Sequence, residues 1–406
     1  MLQVDVTILM PCLDEAKTLP ACVSQAFEAL QTLEARFGLT GEVLVSDNGS
    51  TDGSQEAARA LGARVVDCEE RGYGAALSKG VREAYGRLIV MGDADGSYDF
   101  LESVPMVGKL LEGYDVCMGS RITGEIKPGA MPWKNRRIGN PLLTGILNLF
   151  FRSGLTDAHC GLRAFTKQAF LAINPTSEGM EFASEMVIKP TLLGLRCTEV
   201  PVTLHPDGRG RPPHLRPWRD GWRHLRYLVM LSPLWLYFVP AFALGSLGTI
   251  ILALVLAAPP GGVTKLGRFW VGDHWAVLAG AFLSIGHQTL LLGLAATLYG
   301  AREGYRVITP FLRSVYWATR LEHMLLAGGL LLLAGGSVLG YVVLAWRAAG
   351  YGALQMIREM VTASTLLVIG LQTMFGGFLL SVIGGNEAHI IAAVAKADGR
   401  RQAGSQ

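Results

Sequence analysis

The residues Arg87-Leu88-Ile89-Val90-Met91-Gly92-Asp93-Ala94-Asp95-Gly96 decide the fold: an apolar run of strand length breaks into two carboxylates one residue apart. The same change occurs twice upstream. Residues 4–10 end in Pro11-Cys12-Leu13-Asp14-Glu15, and residues 42–46 end in Asp47-Asn48-Gly49-Ser50-Thr51-Asp52. Between these runs lie helical stretches at 14–37, 54–61 and 74–85 and a further strand at 64–67; a helix at 100–112 and a strand at 115–120 follow. Alternation of this kind predicts an α/β domain with a mostly parallel sheet covered by helices. Ligands on such sheets bind beyond the carboxyl ends of the strands. Three acidic clusters are therefore expected to converge on one crevice.

Two carboxylates two residues apart at a strand end can both face a hard divalent cation. Mg²⁺ held by one or two carboxylates plus substrate phosphates is the expected arrangement. An Asp-x-Asp pair alone more often marks a solvated turn, and its weight here comes from position and from the other two clusters. Arg71-Gly72-Tyr73-Gly74-Ala75-Ala76 offers a glycine-relieved helix entry whose free N–H groups could meet phosphate, the alternative being an ordinary loop.

The whole chain has 406 residues, of which 50% are hydrophobic and 17% charged; its mean hydropathy is +0.34. Soluble proteins carry roughly 25% charge. The apolar excess sits in four runs without Asp, Glu, Lys or Arg, at 232–258, 275–299, 324–345 and 362–383. Each reaches the ~20 residues a helix needs to cross the hydrocarbon layer. Arg209, Arg211, Arg216, Arg219, Arg223 and Arg226 precede the first run; Arg302, Arg306, Arg313 and Arg320 separate the second from the third; Lys396, Arg400 and Arg401 follow the fourth. The other two connections carry Lys265 and Arg268, then Arg347 and Arg358. The positive-inside rule places the N-terminal domain and the C-terminus in the cytoplasm. Residues 1–10 lack a basic start and contain Asp5, which does not read as a signal peptide. Six scattered cysteines (Cys12, Cys22, Cys68, Cys117, Cys160, Cys197) read as reduced structural thiols. Gly336 with Gly340, and Gly376 with Gly377, suit close helix packing, and His287 suits an interhelical hydrogen bond. A net charge of +3 does not suit a nucleic-acid partner, and the composition excludes disorder.

The acidic clusters, with Gly119-Ser120-Arg121, Cys160-Gly161-Leu162-Arg163-Ala164-Phe165, Glu181-Phe182-x-x-Glu185, Glu199-Val200-Pro201-Val202 and Gly208-Arg209, resemble family 2 glycosyltransferases of the GT-A fold. The nearest likeness is to polyprenyl-phosphate (dolichyl-phosphate) mannose and glucose synthases, over roughly residues 4–210. Departures are Asp14 where Asn is usual, Asn48 where a second Asp is common, and the run Asp207-Gly208-Arg209-Gly210-Arg211-Pro212. The resemblance implies a nucleotide pocket of Pro11, Glu15 and Asp47. It implies Asp93, Ala94 and Asp95 at the donor diphosphate, with Asp93 and Asp95 holding Mg²⁺ or Mn²⁺. Arg209 would be a second diphosphate clamp, and Asp157, within Thr156-Asp157-Ala158-His159-Cys160-Gly161, a base or orienter. Arg121, Arg136 and Arg137 suggest the site of an acceptor phosphate. Residues 141–151 read as an amphipathic segment on the bilayer or as a packing helix; Trp218 and Trp222 with Arg219, Arg223 and Arg226 form an interfacial collar.

The layout expected is a GT-A domain at 1–210, a basic interfacial segment at 211–230, a four-helix transmembrane domain at 231–390 and a cytoplasmic tail at 391–406. The function expected is an inverting, metal-dependent transfer of a hexose from a UDP-sugar or GDP-mannose to polyprenyl phosphate, at the cytoplasmic face of a bacterial inner membrane. The partners are then nucleotide sugar, polyprenyl phosphate and membrane lipid, with a homo-oligomer left open. Direct glycosylation of a neutral lipid such as diacylglycerol is the enzymatic alternative. A transporter or flippase with a degenerate nucleotide-binding head is the non-enzymatic one.

Overall fold

The apolar runs of the first 204 residues pair into a seven-stranded sheet in the computed structural model, which describes residues 4–208, 217–259, 262–307, 310–353 and 356–384. The strands are β1 (Val6–Cys12), β2 (Gly41–Asp47), β3 (Arg64–Asp67), β4 (Leu88–Met91), β5 (Val116–Ile126), β6 (Arg163–Thr166) and β7 (Cys197–Leu204). Their order is β3-β2-β1-β4-β6-β5-β7. Strand β6 runs antiparallel to both neighbours, whereas the β1–β2, β1–β4, β2–β3 and β5–β7 ladders are parallel. The central strands are apolar at consecutive positions because both faces are covered. Ile8 and Met10 enter the layer beneath α1 (Leu19–Phe37) and, beyond the short helix α2 (Ser54–Ala60) and α3 (Tyr73–Glu83), α4 (Ser103–Leu111). Leu9, Leu44 and Ile89 enter the opposite layer with α3, α5 (Asn140–Phe151), α6 (Lys167–Ile173) and α7 (Phe182–Leu193). Helix α8 (Pro217–Met230) closes this unit by packing on α5 and α7. The chain divides between Leu231 and Ser232.

Two departures from the sequence reading matter for the site. Helix α1 begins at Leu19 rather than at residue 14, because Asp14 takes a left-handed backbone (φ 56°) and Pro20 sits in the first turn. The entry to α3 packs against the 176–179 loop: the Ala75 amide donates to the Glu178 carbonyl (3.1 Å), and a Cβ at Gly72 or Gly74 would collide with the carbonyls of Glu178 or Ser177. These glycines admit the 176–179 loop. That loop is held in turn by buried Glu185, which accepts from the amides of Thr176 (3.0 Å) and Ser177 (2.9 Å) and pairs with Lys189.

The second unit contains α9 (Val239–Ala257), a hairpin of β8 (Thr264–Leu266) and β9 (Phe269–Val271), α10 (His274–Arg302), α11 (Pro310–Ala318), α12 (Leu321–Ala348) and α13 (Ile357–Gly384). Four helices, at Leu234–Ala257, His274–Arg302, Leu321–Ala348 and Ile357–Gly384, are long and apolar enough to cross a membrane. Glycines let them approach: a Cβ at Gly248 would crowd Leu283, at Gly376 Leu291, and at Gly377 Met324. Gly336 and Gly340 face open space on α12 and meet no neighbouring helix among the described residues. His287 bonds Thr373 Oγ1 at 3.0 Å across α10 and α13. Arg358, read from sequence as a loop charge, lies inside α13, where it is buried against Asp273 (2.6 Å) and donates to the carbonyls of Ala258 (2.7 Å) and Pro259 (3.0 Å).

Candidate active site

The loops after β1 and β2 are laced together by backbone-to-side-chain hydrogen bonds. The amides of Asp14, Glu15 and Ala16 donate to Ser50 Oγ, Ser54 Oγ and Asp52 Oδ2, each at 2.9 Å, and Asp14 Oδ1 accepts from the Thr51 amide at 2.8 Å. An aspartate suits position 14 for this reason: it tolerates the left-handed backbone and its carboxylate ties the second loop. At the end of β2, Asp47 is 1% exposed. Its Oδ2 accepts from the amides of Gly49 (3.0 Å) and Ser50 (2.9 Å) and from Gln55 (2.7 Å), while its buried Oδ1 has no partner among the described residues. An unsatisfied buried acceptor is costly unless a ligand donates to it. A ring N–H of a nucleobase is the kind of donor that fits. Pro11 occupies β1 beside Ser46, and Asn48 donates to the Glu70 carbonyl (2.7 Å) and accepts from the Gly72 amide (2.8 Å).

The loop after β4 joins this group through Thr18, whose hydroxyl donates to the Ala94 carbonyl at 2.7 Å and lies 3.4 Å from Glu15 Oε2. Asp95 is buried, and its Oδ1 accepts from the amide and hydroxyl of Ser97. Asp93 Oδ1 accepts from Tyr73 Oη at 3.1 Å. The Gly208 amide donates to the Asp95 carbonyl at 3.0 Å, so the chain after β7 folds back onto this loop. Arg209 follows directly and lies outside the described residues. Among the described residues no three metal-binding side chains gather at one place. Asp93 and Asp95 supply two hard oxygen donors, the number used where phosphates and waters complete the shell of a magnesium-like ion.

On the other side of β4, strand β5 changes register between Ser120 and Glu125, and Arg121 lies within that irregular stretch. Arg121 donates from Nε to Asp157 Oδ2 (2.6 Å), from Nη2 to Oδ1 (2.8 Å) and from its amide to Oδ2 (3.1 Å). Both side chains are buried, at 9% and 1% exposure. Burial alone would raise the Asp157 carboxyl, but the hydrogen bonds and charge of Arg121 hold it below the usual carboxylate range. The preceding Thr156 is gripped by Glu199 of β7 through its amide (2.8 Å) and hydroxyl (2.7 Å). Gly161, four residues after Asp157, lies against Asp93: a Cβ there would collide with the carboxylate, and its amide donates to Tyr98 Oη at 3.0 Å. Asp93 and the 157–161 loop thus meet at one glycine.

Arg136 and Arg137 do not join Arg121 in an ion-pair network. They lie exposed on a widened helical turn, Asn135–Gly139, ahead of α5, and no carboxylate pairs with either among the described residues. Beside them Trp133, Ile138, Leu142 and Leu149 are exposed, while Leu147 and Phe151 pack inward. The rings of His159 and His224 of α8 meet edge-on with centroids 5.0 Å apart, and both ring nitrogens of His159 are covered and have no hydrogen-bond partner among the described residues. Tyr73, Thr18 and Glu199 were not singled out as site residues by sequence, since each acts on a carboxylate or loop distant in the chain.

A model of glycosyl transferase family 2 matches residues 7–173, and a model of the glycosyltransferase family 2 C-terminal transmembrane region matches residues 294–384. The low-salt glycan biosynthesis hexosyltransferase Agl6 of Haloferax volcanii is 36% identical over 93% of this chain and 89% of its own length. A dolichyl-phosphate hexose transferase of the same organism is 32% identical over 39% of this chain and 68% of its own. Glucosyl-3-phosphoglycerate synthase of Mycobacterium tuberculosis, solved with Mn²⁺, UDP and glucosyl-3-phosphoglycerate, aligns with TM-score 0.42 and 22% identity over 56% of this chain and 78% of that one. A GT-A-like sheet domain, a transmembrane region and a relative matched along nearly its whole length together mean that the chain belongs to glycosyltransferase family 2, as a membrane protein.

Proposed function

We propose that the chain transfers a hexose, with inversion, from a nucleotide sugar to a polyprenyl phosphate at the cytoplasmic face of the membrane. The observation that carries this reading is Arg121. Asp157 fixes its guanidinium, the loop that carries Asp157 meets Asp93 at Gly161, and Nη1 is left without a protein acceptor among the described residues. A cation preset there suits an acceptor that is itself an anion. Agl6 is named a hexosyltransferase and the shorter relative a dolichyl-phosphate hexose transferase, which supports a hexose and a lipid phosphate.

On this reading Pro11, Glu15 and Asp47 receive the nucleotide, with Asp47 Oδ1 accepting from the base. Asp93 and Asp95 would hold Mg²⁺ or Mn²⁺; when bound, such an ion offsets charge on the departing nucleotide diphosphate. Ala94 lends its backbone to the same loop, and Arg209 is assigned the second clamp on the diphosphate. A phosphomonoester has its second pKa near 6, so the attacking oxygen is already anionic and needs positioning more than deprotonation. Asp157, with both oxygens engaged, orients Arg121 and is not the proton acceptor. Arg121 draws the acceptor phosphate toward the anomeric carbon, and exposed Arg136 and Arg137 guide it from the lipid surface. Residues 1–210 then form the catalytic head, 211–230 an interfacial segment, 231–390 the membrane part and 391–406 a tail. The two sequence relatives named above are from Haloferax volcanii, so the membrane is proposed as a cell's cytoplasmic membrane rather than a bacterial one in particular.

The test is purified protein with Mn²⁺, undecaprenyl phosphate and a panel of radiolabelled nucleotide sugars, scored for label in the organic phase. Label on a phosphoprenol supports the reading. Label that appears only when diacylglycerol replaces the phosphoprenol would assign the neutral-lipid reaction instead.

A further inference from the structure

Arg163 opens β6, and its side chain is among the largest that are wholly buried, at 1% exposure. No carboxylate pairs with it among the described residues, since both oxygens of nearby Asp157 are taken by Arg121. A buried charge without a counter-ion is expensive, and such a group persists where its hydrogen bonds are needed. Here the acceptors are three carbonyls: Cys160 from Nε (2.8 Å), Ala183 from Nη1 (2.8 Å) and Ala158 from Nη2 (3.4 Å). Two of these carbonyls belong to the 157–161 loop and the third to the first turn of α7. One end of that loop is Asp157, which holds Arg121; the other is Gly161, which lies against Asp93.

We propose that Arg163 is a positioning residue for sugar transfer: its planar fork fixes the 157–161 loop and so sets the spacing between Asp93 on the donor side and the Asp157–Arg121 pair on the acceptor side. The inference rests on the proposed function above. Lysine would keep the charge but offers one point donor in place of a fork that reaches three carbonyls. Misplacement of reacting groups by about 1 Å can cost on the order of 100-fold in rate.

The experiment compares full-length wild type, Arg163→Lys and Arg163→Met in detergent, measuring kcat, KM for each substrate and hydrogen–deuterium exchange along the catalytic unit. In the Met variant kcat is expected to fall about 100-fold with KM for the nucleotide sugar within about threefold of wild type. Exchange should quicken in 156–162 and not in the β1 and β4 strands, and the Lys variant should stay below about a tenth of the wild-type rate. A Met variant within threefold of wild type overturns the proposal. Full rescue by Lys overturns it too, as does exchange quickened throughout the sheet, or failure to recover either variant folded, since these assign Arg163 to charge or to folding. Wild type that transfers to no phosphoprenol defeats the proposed function itself, while the exchange pattern still reports whether Arg163 holds the loop.

Discussion

Arg121 and Asp157, 36 residues apart in sequence, form a two-pronged buried ion pair with contacts of 2.6 and 2.8 Å. The pair ties the irregular stretch of β5 to the loop before β6 and leaves Arg121 Nη1 without a protein acceptor among the described residues. Its geometry separates what Asp157 does for stability from what it does for catalysis.

Asp157→Asn should leave the buried guanidinium without its counter-charge, a loss of about 3–5 kcal/mol. The double variant Arg121→Met with Asp157→Leu should recover much of that stability and no transfer, because the charge is gone along with its partner. Thermal melts beside radiolabel assays check this; equal stability of single and double variants would refute the pairing energetics. The Asp157 carboxyl titrates below its ordinary value of 3.8, so the stability it contributes is complete above that value and drains as pH falls through the lower folded one. Asp157→Asn should flatten the acid limb of stability below about pH 4.

Removing the donor carboxylates should stop chemistry without disturbing insertion. Asp93→Ala or Asp95→Ala is expected to lower kcat by at least about 100-fold, since an ion at a leaving diphosphate is worth several kcal/mol. EDTA should act the same way on wild type, with activity restored by Mn²⁺. Full activity in EDTA would remove the metal assignment.

Arg136→Ala and Arg137→Ala should raise KM for the lipid by about fivefold each, from ~1 kcal/mol per basic group near an anionic surface. KM for the nucleotide sugar should stay unchanged. The opposite pattern would move these residues to the donor side.

His159 is held neutral: burial, with the neighbouring His224 adding to it, pushes its pKa from 6.5 down to about 3. The unfolded chain therefore binds the proton first. The stability tied to this group is complete above pH 6.5 and drains as pH falls toward 3. Between pH 7 and pH 5 the loss should be about 2 kcal/mol, and His159→Phe should lack it. Melting curves of both proteins at the two pH values decide; parallel behaviour would mean that His159 is protonated in the fold.

Features that depend on near neighbours in the chain are legible in the amino-acid sequence. Apolar runs such as 88–91 read as buried parallel strands because consecutive residues face two covered layers. The acids of Asp93 and Asp95 were legible because a turn at a strand end follows its strand directly. Charge-free stretches announced the membrane part, because hydrocarbon tolerates little else over 20 residues. Only the tertiary structure decided the relations that span long separations. The antiparallel insertion of β6 between β4 and β5 is one; it brings the 157–161 loop to Asp93 and gives Asp157 to Arg121. The covering of the α3 entry by the 176–179 loop is another, and the capture of Arg358 by Asp273 a third. In each case the partner lies dozens of residues away, and geometry set by the whole sheet or bundle, rather than local spacing, determines which charge meets which.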